Sequence, residues 1–240
     1  MGVTNSNKVI NTDRILCDGA LRVTLALTAA PDIVSNPTDI VLVLDRSGSM
    51  TGSPLANLKL GANTFIDLID EATDSTKDGQ IGSGSRMGVV SFSSTAVANT
   101  QLTTSVDALK TAVDGLTAGG STNHADAFAK ATQLFDPASP NAKIMVLFTD
   151  GNTTIGAPPA PMAAAARAQG IIIYCIGLIG ADGLEISALN NWATDPDASH
   201  VAVSCMLLTV PVVKEVVTVV NRADWATPNR TSLPSMLPMD

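Results

Sequence analysis

The sequence predicts an α/β fold, namely a doubly wound and mostly parallel central sheet flanked by helices, with extended arms at both ends. Three apolar runs, DIVLVLD at 39–45, KIMVLFT at 143–149 and IIIYCIGLI at 171–179, are typical of strands buried on both faces. Segments with helical periodicity separate these runs. Strands that alternate with helices in this way indicate parallel pairing.

The first predicted helix covers 53–72, where Leu55, Leu58 and Phe65 recur at helical spacing. Ser53 and Pro54 supply an expected cap and first helical position. Further helices are predicted over 105–116, 123–136, 161–169 and 184–193, and further strands over 87–92 and 200–204, with a short edge strand near 96–102. The valine-rich segment 211–222 favours a strand by composition, but its polar residues share one helical face, so we predict a helix.

Two segments lie outside this alternation and divide the chain into a 1–38 extension, a 38–222 domain and a 223–240 tail. The extension contains one strand-like piece at 20–27, and the tail carries three prolines without periodicity. Two roles stay open for these arms. They cover the sheet of their own domain, or they reach a neighbouring copy and link subunits into an oligomer or filament by strand addition.

Composition narrows the class of partner. Lysine and arginine number 14 against 22 acidic residues, a net charge of −8 that argues against nucleic acid or an anionic membrane and suits cation binding. No apolar run is long enough to span a bilayer. The amino end lacks the features of a signal peptide, so we expect a cytoplasmic protein, with a cell-surface or extracellular location by a non-classical route as the alternative. Cys17, Cys175 and Cys205 do not make a disulfide framework.

The end of the first buried strand carries the clearest chemical signal. Asp45-Arg46-Ser47-Gly48-Ser49 follows the run directly, and open α/β sheets bind ligands at the carboxyl ends of their strands. Alternating positions can turn Asp45, Ser47 and Ser49 toward one point. Hard oxygen ligands of this kind suit Mg²⁺, Mn²⁺ or Ca²⁺ rather than zinc or copper.

Two more oxygen donors occupy equivalent positions. Thr122 lies in the loop GGSTN before a predicted helix, and Asp150 ends the strand KIMVLFT. If the strands are neighbours, five side chains share one rim, and the two carboxylates balance a divalent charge. Mg²⁺ prefers about six oxygens and readily keeps waters, which leaves a position for a water or for a carboxylate of a partner.

These residues resemble the metal-ion-dependent adhesion site (MIDAS) of the von Willebrand factor A, or integrin I-type, domain family. Asp45-x-Ser47-x-Ser49, Thr122 in GGST and Asp150 in TDG match it in order and context over about 38–222, with all five positions present. The resemblance implies a Rossmann-like fold in which Ser47, Ser49 and Thr122 touch the metal and the two aspartates act directly or through water. The general style of the chain resembles bacterial relatives.

The same resemblance implies a function. The open coordination position of this family takes an acidic side chain from a protein partner, and family members are mainly adhesion, matrix and complex-assembly proteins. In some members the last helix slides when the metal captures a ligand. That helix would be 212–220 here, and a static packing helix is the favoured interpretation.

Enzyme motifs are absent or incomplete. The strand with DxSxS resembles the start of the haloacid dehalogenase motif, but Ser47 stands where that family needs a second aspartate. No P-loop and no G-x-S-x-G elbow occur. His124, beside Thr122, could reach the rim but is favoured as a helix-start residue, and His200 as a strand-start residue. The sequence therefore predicts a non-enzymatic, metal-dependent adhesion module, with a self-assembling structural protein as the alternative.

Overall fold

The computed structural model describes residues 37–178 and 183–194, together with the backbone of strands at 5–9, 24–28 and 201–204. Two strands near the amino end pair with each other, and six more form the central sheet. The strands are β1 (Asn5–Val9), β2 (Thr24–Thr28), β3 (Thr38–Asp45), β4 (Arg86–Phe92), β5 (Ala96–Ala98), β6 (Ala142–Thr149), β7 (Ile171–Leu178) and β8 (Val201–Ser204).

The central sheet has the strand order β5-β4-β3-β6-β7-β8. Its five strands β4, β3, β6, β7 and β8 run parallel, and β5 joins the free edge of β4 in the antiparallel direction. The strongest apolar runs occupy the middle of the sheet, where both faces are covered. The mostly parallel, doubly wound sheet predicted from the sequence is confirmed.

Helices cover both faces of this sheet. Ile40, Leu42 and Leu44 of β3 pack in one core with the first two helices, whereas Val41 and Val43 pack in a second core with the other three. This alternation follows from the two-residue period of a strand. The helices are α1 (Ser53–Asp74), α2 (Val106–Asp114), α3 (His124–Thr132), α4 (Pro159–Ala168) and α5 (Ile186–Trp192).

Several boundaries differ from those predicted. The cap of α1 is Gly52 rather than Ser53, because the chain leaves the short helical turn Gly48–Met50 through a positive φ of 85° that glycine accepts readily. Helix α3 stops at Thr132, earlier than the periodicity suggested, and α4 starts at Pro159, two residues earlier than expected. The edge strand β5 is shorter than 96–102.

The amino-terminal arm contains one strand that was not predicted. The polar segment of β1 pairs antiparallel with β2, and β2 overlaps only the end of the strand-like piece at 20–27. This ladder lies within one chain, so linkage between subunits stays a prediction. The predicted helix at 211–222, the tail at 223–240, Cys17, His200 and Cys205 lie outside the described residues.

The course of the chain creates a topological switch point at the carboxyl end of the sheet, between β3 and β6. Helix α1, which follows β3, packs on one face, whereas α4, which follows the neighbouring strand β6, packs on the other. The loops after β3 and β6 therefore diverge. A switch point of this kind is where open α/β sheets bind ligands.

At the opposite end of the sheet, the buried carboxylate of Asp39 bonds to several neighbouring segments. It is 0% exposed and accepts hydrogen bonds from Arg86 Nε and Nη2, at 2.9 and 2.7 Å, and from Ser139 Oγ and Asn141 Nδ2, at 3.1 and 3.0 Å. Burial alone raises the pKa of Asp39, but these donors outweigh burial and hold its pKa below 3.8. One side chain thus connects β3, β4 and the segment that leads into β6.

This arrangement predicts a stability that depends on pH. Because the folded state lowers the pKa of Asp39, its contribution is fully present above the ordinary value of 3.8 and is lost as pH falls through the folded pKa. We expect the difference in unfolding free energy between wild type and Asp39→Asn to shrink between about pH 5 and about pH 2, measured by urea unfolding. A difference that stays constant over this range would contradict the prediction.

Candidate metal centre

The loop after β3 gathers three of the predicted site residues. Asp45 is fully buried, and its Oδ1 accepts a hydrogen bond from the backbone N–H of Ser47 at 2.9 Å. The hydroxyl oxygens of Ser47 and Ser49 lie 3.1 Å apart. The turn therefore brings one carboxylate and two hydroxyls next to one another.

The loop that carries Thr122 is bonded to the loop after β3. The N–H of Gly48 donates to the carbonyl of Gly120 and the N–H of Gly119 donates to the carbonyl of Arg46, both at 2.9 Å. A Cβ on Gly48 would lie 3.2 Å from that carbonyl, so the close approach favours glycine. The loop that carries Thr122 is thereby held against the loop after β3.

A second set of bonds ties Thr122 to the loop after β6. Its N–H donates to the Thr154 hydroxyl at 2.8 Å, and its carbonyl accepts from the N–H of Thr154 at 3.0 Å. The Thr122 side chain is itself buried. The loop that carries Thr122 is therefore bonded to both the loop after β3 and the loop after β6.

Asp150 supplies the second carboxylate. It follows β6 directly, is 1% exposed, and neither of its side-chain oxygens accepts a hydrogen bond from any residue that the structure describes. Burial raises the pKa of Asp45 to about 6, and the charge of Asp150 adds to this rise, while hydrogen bonds from Ser47 and Thr149 oppose it. The two carboxylates are therefore close enough to repel each other.

This donor set fits a divalent cation. A buried carboxylate without donors is costly, and two such groups near each other add repulsion, so a positive ion between them would offset both terms. Carboxylate and hydroxyl oxygens are the ligands that Mg²⁺, Mn²⁺ and Ca²⁺ prefer. No cluster of three or more His, Cys, Asp or Glu side chains suited to a metal occurs in the described ranges, so the charge balance depends on Asp45 and Asp150.

Sequence reasoning missed one member of this centre, Thr149. Its hydroxyl donates to Asp45 Oδ2 at 2.7 Å. Leu44 pairs with Phe148 across β3 and β6, so Asp45 and Thr149 stand side by side one residue further along. Aligning the ends of the two apolar runs could have suggested this neighbour, but only the strand register establishes it.

The comparison with known proteins identifies the family. Residues 39–209 match the family model of the von Willebrand factor type A domain. The chain belongs to this family. The Rossmann-like A-domain fold expected from the resemblance is thus confirmed, and A domains that carry a MIDAS bind divalent metals.

Curated relatives of this A domain are much longer than the matched region. Mouse matrilin-3 is 29% identical over 178 residues, which cover 70% of this chain and 34% of matrilin-3. Bovine inter-alpha-trypsin inhibitor heavy chain H4 is 29% identical over 162 residues, 61% of this chain and 16% of that protein. The chain therefore spans about a third of the first protein and about a sixth of the second.

Solved structures share the fold of this A domain. Proximal thread matrix protein 1 from the mussel byssus, in a form with a zinc-occupied MIDAS motif, superposes with a TM-score of 0.64 at 24% identity, covering 78% of this chain and 46% of that one. The von Willebrand factor domain of the type V pili tip protein Mfa5 from Porphyromonas gingivalis superposes with a TM-score of 0.67 at 14% identity, covering 78% and 95%. The mussel protein thus holds zinc at its own MIDAS motif.

Among the residues that the structure describes, no helix combines the length and the apolar character needed to cross a membrane.

Proposed function

We propose that this A domain is a metal-dependent protein-binding module. Asp45, Ser47, Ser49, Thr122 and Asp150 hold a divalent cation, Mg²⁺ in the first place and Mn²⁺ or Ca²⁺ as substitutes, and the cation binds a carboxylate of a partner protein. The observation that carries the proposal is the buried carboxylate of Asp150, which has no donor in the described structure and whose charge raises the pKa of Asp45.

The exposure of the loop after β3 supports access from outside. Asp45, Ser47, Thr122 and Asp150 are buried, but Ser49 is only partly buried and Gly48 is exposed. A cation held by the buried groups can therefore be approached across the Gly48 side. Two carboxylates balance the charge of a divalent ion, and Mg²⁺ prefers about six oxygens, so a coordination position would remain for an oxygen of a third acidic group.

Binding rather than catalysis is the function proposed here. Ser47 stands at the position where a haloacid dehalogenase would need its proton-donating aspartate. His124 is fully buried and has both ring nitrogens bonded to threonine hydroxyls, so it does not open to a substrate. The cytoplasmic location expected from the amino end finds no support among the relatives. Because one similar structure is a byssus thread matrix protein and another a pili tip protein, we propose a cell-surface or extracellular location.

Calorimetry with Mg²⁺ and Mn²⁺ tests the proposal. We expect wild-type binding and a loss of at least about 100-fold in affinity for Asp45→Ala, because this change removes a charged ligand of the centre. Asp107→Ala, at an exposed position of α2, is the matched control and should bind as wild type does. Equal affinities in wild type and Asp45→Ala would contradict the assignment. A zinc titration determines whether this chain shares the metal of the mussel structure.

Acetate, the smallest carboxylate probe, tests the free coordination position. With Mn²⁺ bound, the protein should broaden the NMR lines of acetate, and Asp45→Ala should abolish the protein-dependent part of this broadening. Capture of protein partners with and without EDTA then extends the test to natural ligands. Partner capture that is indifferent to EDTA would favour a scaffold role over metal-dependent adhesion.

A further inference from the structure

A buried histidine lies behind the candidate metal centre. His124 is the first residue of α3, is 0% exposed, and lies between the rings of Phe92 and Trp192, with centroid distances of 5.0 and 4.6 Å. Its Nε2 is 2.8 Å from Thr149 Oγ1, and its Nδ1 is 2.8 Å from Thr153 Oγ1. A continuous row of hydrogen bonds thus runs from Thr153 through the imidazole to Thr149 and on to Asp45.

The direction of each hydrogen bond in this row follows from the number of available protons. An ionised carboxylate only accepts, so the single hydroxyl proton of Thr149 points to Asp45 Oδ2, 2.7 Å away. The oxygen of Thr149 must then accept from its other neighbours, which are the N–H of Gly151 at 3.0 Å and Nε2 of His124. It follows that Nε2 carries a proton.

The second ring nitrogen is fixed by the same reasoning. His124 is fully buried and both ring nitrogens meet threonine hydroxyls rather than a carboxylate, so a charge on the ring would have no counter-charge. The ring is therefore neutral and has one N–H only. With that proton on Nε2, Nδ1 is an acceptor and receives the hydroxyl proton of Thr153. The opposite tautomer would turn the Thr149 hydroxyl toward the ring and leave Asp45 Oδ2 without this donor.

We propose that His124, as the neutral Nε2–H tautomer, is a positioning residue of the metal centre that acts through Thr149 to hold Asp45 in its ligating orientation. This inference rests on the proposed function. The packing of Phe92 and Trp192 keeps the imidazole in place, and the row of hydrogen bonds transmits that rigidity to the carboxylate. Groups that orient metal ligands in this way typically contribute about 10- to 100-fold to metal affinity.

The tautomer can be measured without any metal. Nitrogen-15 spectra of histidine-labelled, metal-free protein distinguish the two neutral tautomers by the shifts of the ring nitrogens. The chain has two histidines. In the variant His200→Gln, the only remaining histidine signals are those of His124. We expect a neutral ring with the proton on Nε2 near pH 7. A proton on Nδ1, or a charged ring at that pH, would overturn the proposal.

A pair of amide variants tests the link to the metal. A glutamine amide nitrogen can take the place of Nε2, whereas an asparagine amide reaches only the place of Nδ1. Since both variants lose the ring and gain an amide, we expect His124→Gln to keep Mn²⁺ affinity within about threefold and His124→Asn to lose about 10- to 100-fold. Equal affinities of the two variants would refute a specific role for the Nε2 donor.

Changes at Thr149 keep the test valid even if a variant of His124 fails to fold. Thr149→Ser retains the hydroxyl and should bind Mn²⁺ as wild type does, whereas Thr149→Val should lose about as much affinity as His124→Asn. Because His124 acts only through Thr149, adding His124→Asn to Thr149→Val should cause no further loss. Losses that multiply in the double variant would show that the two residues act independently and would end the proposal.

The outcomes separate this inference from the proposed function. A wild-type protein that fails to bind Mn²⁺ refutes the metal centre itself, and the positioning role with it. A wild-type protein that binds Mn²⁺, together with a His124→Asn variant that binds equally well, refutes the positioning role alone. Urea unfolding of each metal-free variant confirms that any loss of affinity is measured on folded protein.

Discussion

The variant Asp150→Asn is expected to lose at least about 100-fold in affinity for divalent cations and, at the same time, to stabilise the metal-free protein by about 1–2 kcal/mol. Both effects follow from one observation. The carboxylate of Asp150 is buried without a donor in the described structure and repels Asp45. In the metal-free protein this buried charge lowers the stability, and an uncharged amide of nearly the same size removes that cost. When a cation is bound, the same charge is a ligand, and the amide weakens binding.

Two measurements check the opposing effects. Urea unfolding in EDTA gives the stability of the metal-free state, and calorimetry with Mg²⁺ gives the affinity. The matched control is Asp39→Asn, the same change at a buried carboxylate that has donors. The control should destabilise the protein and leave cation affinity unchanged. If Asp150→Asn destabilises the metal-free state as Asp39→Asn does, the charge of Asp150 is compensated without a cation and the basis of the metal assignment is lost.

The second large effect is expected at the other end of the sheet, where Asp39→Ala should lower the unfolding free energy by about 2–4 kcal/mol. Removal of the carboxylate leaves Arg86, Ser139 and Asn141 without their shared acceptor. Breaking a buried ion pair costs about 3–5 kcal/mol. The expected loss is smaller because the Arg86 side chain is 39% exposed and can turn toward water.

A double-mutant cycle with Arg86→Met isolates the ion pair from the other bonds of Asp39. We expect the two single changes to be clearly less than additive, since each removes the same pair. Cation affinity measured on Asp39→Ala should match wild type, because Asp39 and Asp45 lie at opposite ends of β3. A stability loss below about 1 kcal/mol would mean that the hydrogen bonds and the ion pair of Asp39 contribute little to the unfolding free energy.

The order and type of the main elements were determined by the sequence alone. Runs such as DIVLVLD bury their apolar side chains only when both faces of the sheet are covered. The helical periodicity at 53–72 likewise predicts a helix that packs one face against the rest of the protein. The candidate metal ligands could also be predicted from the sequence, because the DxSxS turn, Thr122 and Asp150 each follow a predicted strand or precede a predicted helix. Element ends were less accessible, since caps such as Gly52 depend on the backbone angle that the preceding turn imposes.

Tertiary structure decided which groups meet. The register of β3 against β6 sets Thr149 beside Asp45, and the packing of α3 against the sheet carries His124 to Thr149, although 25 residues separate them. It also left Asp150 buried without a described donor while giving Asp39, the same residue type, four hydrogen bonds. Local pattern cannot distinguish these two carboxylates, because their different environments arise from residues far away along the chain.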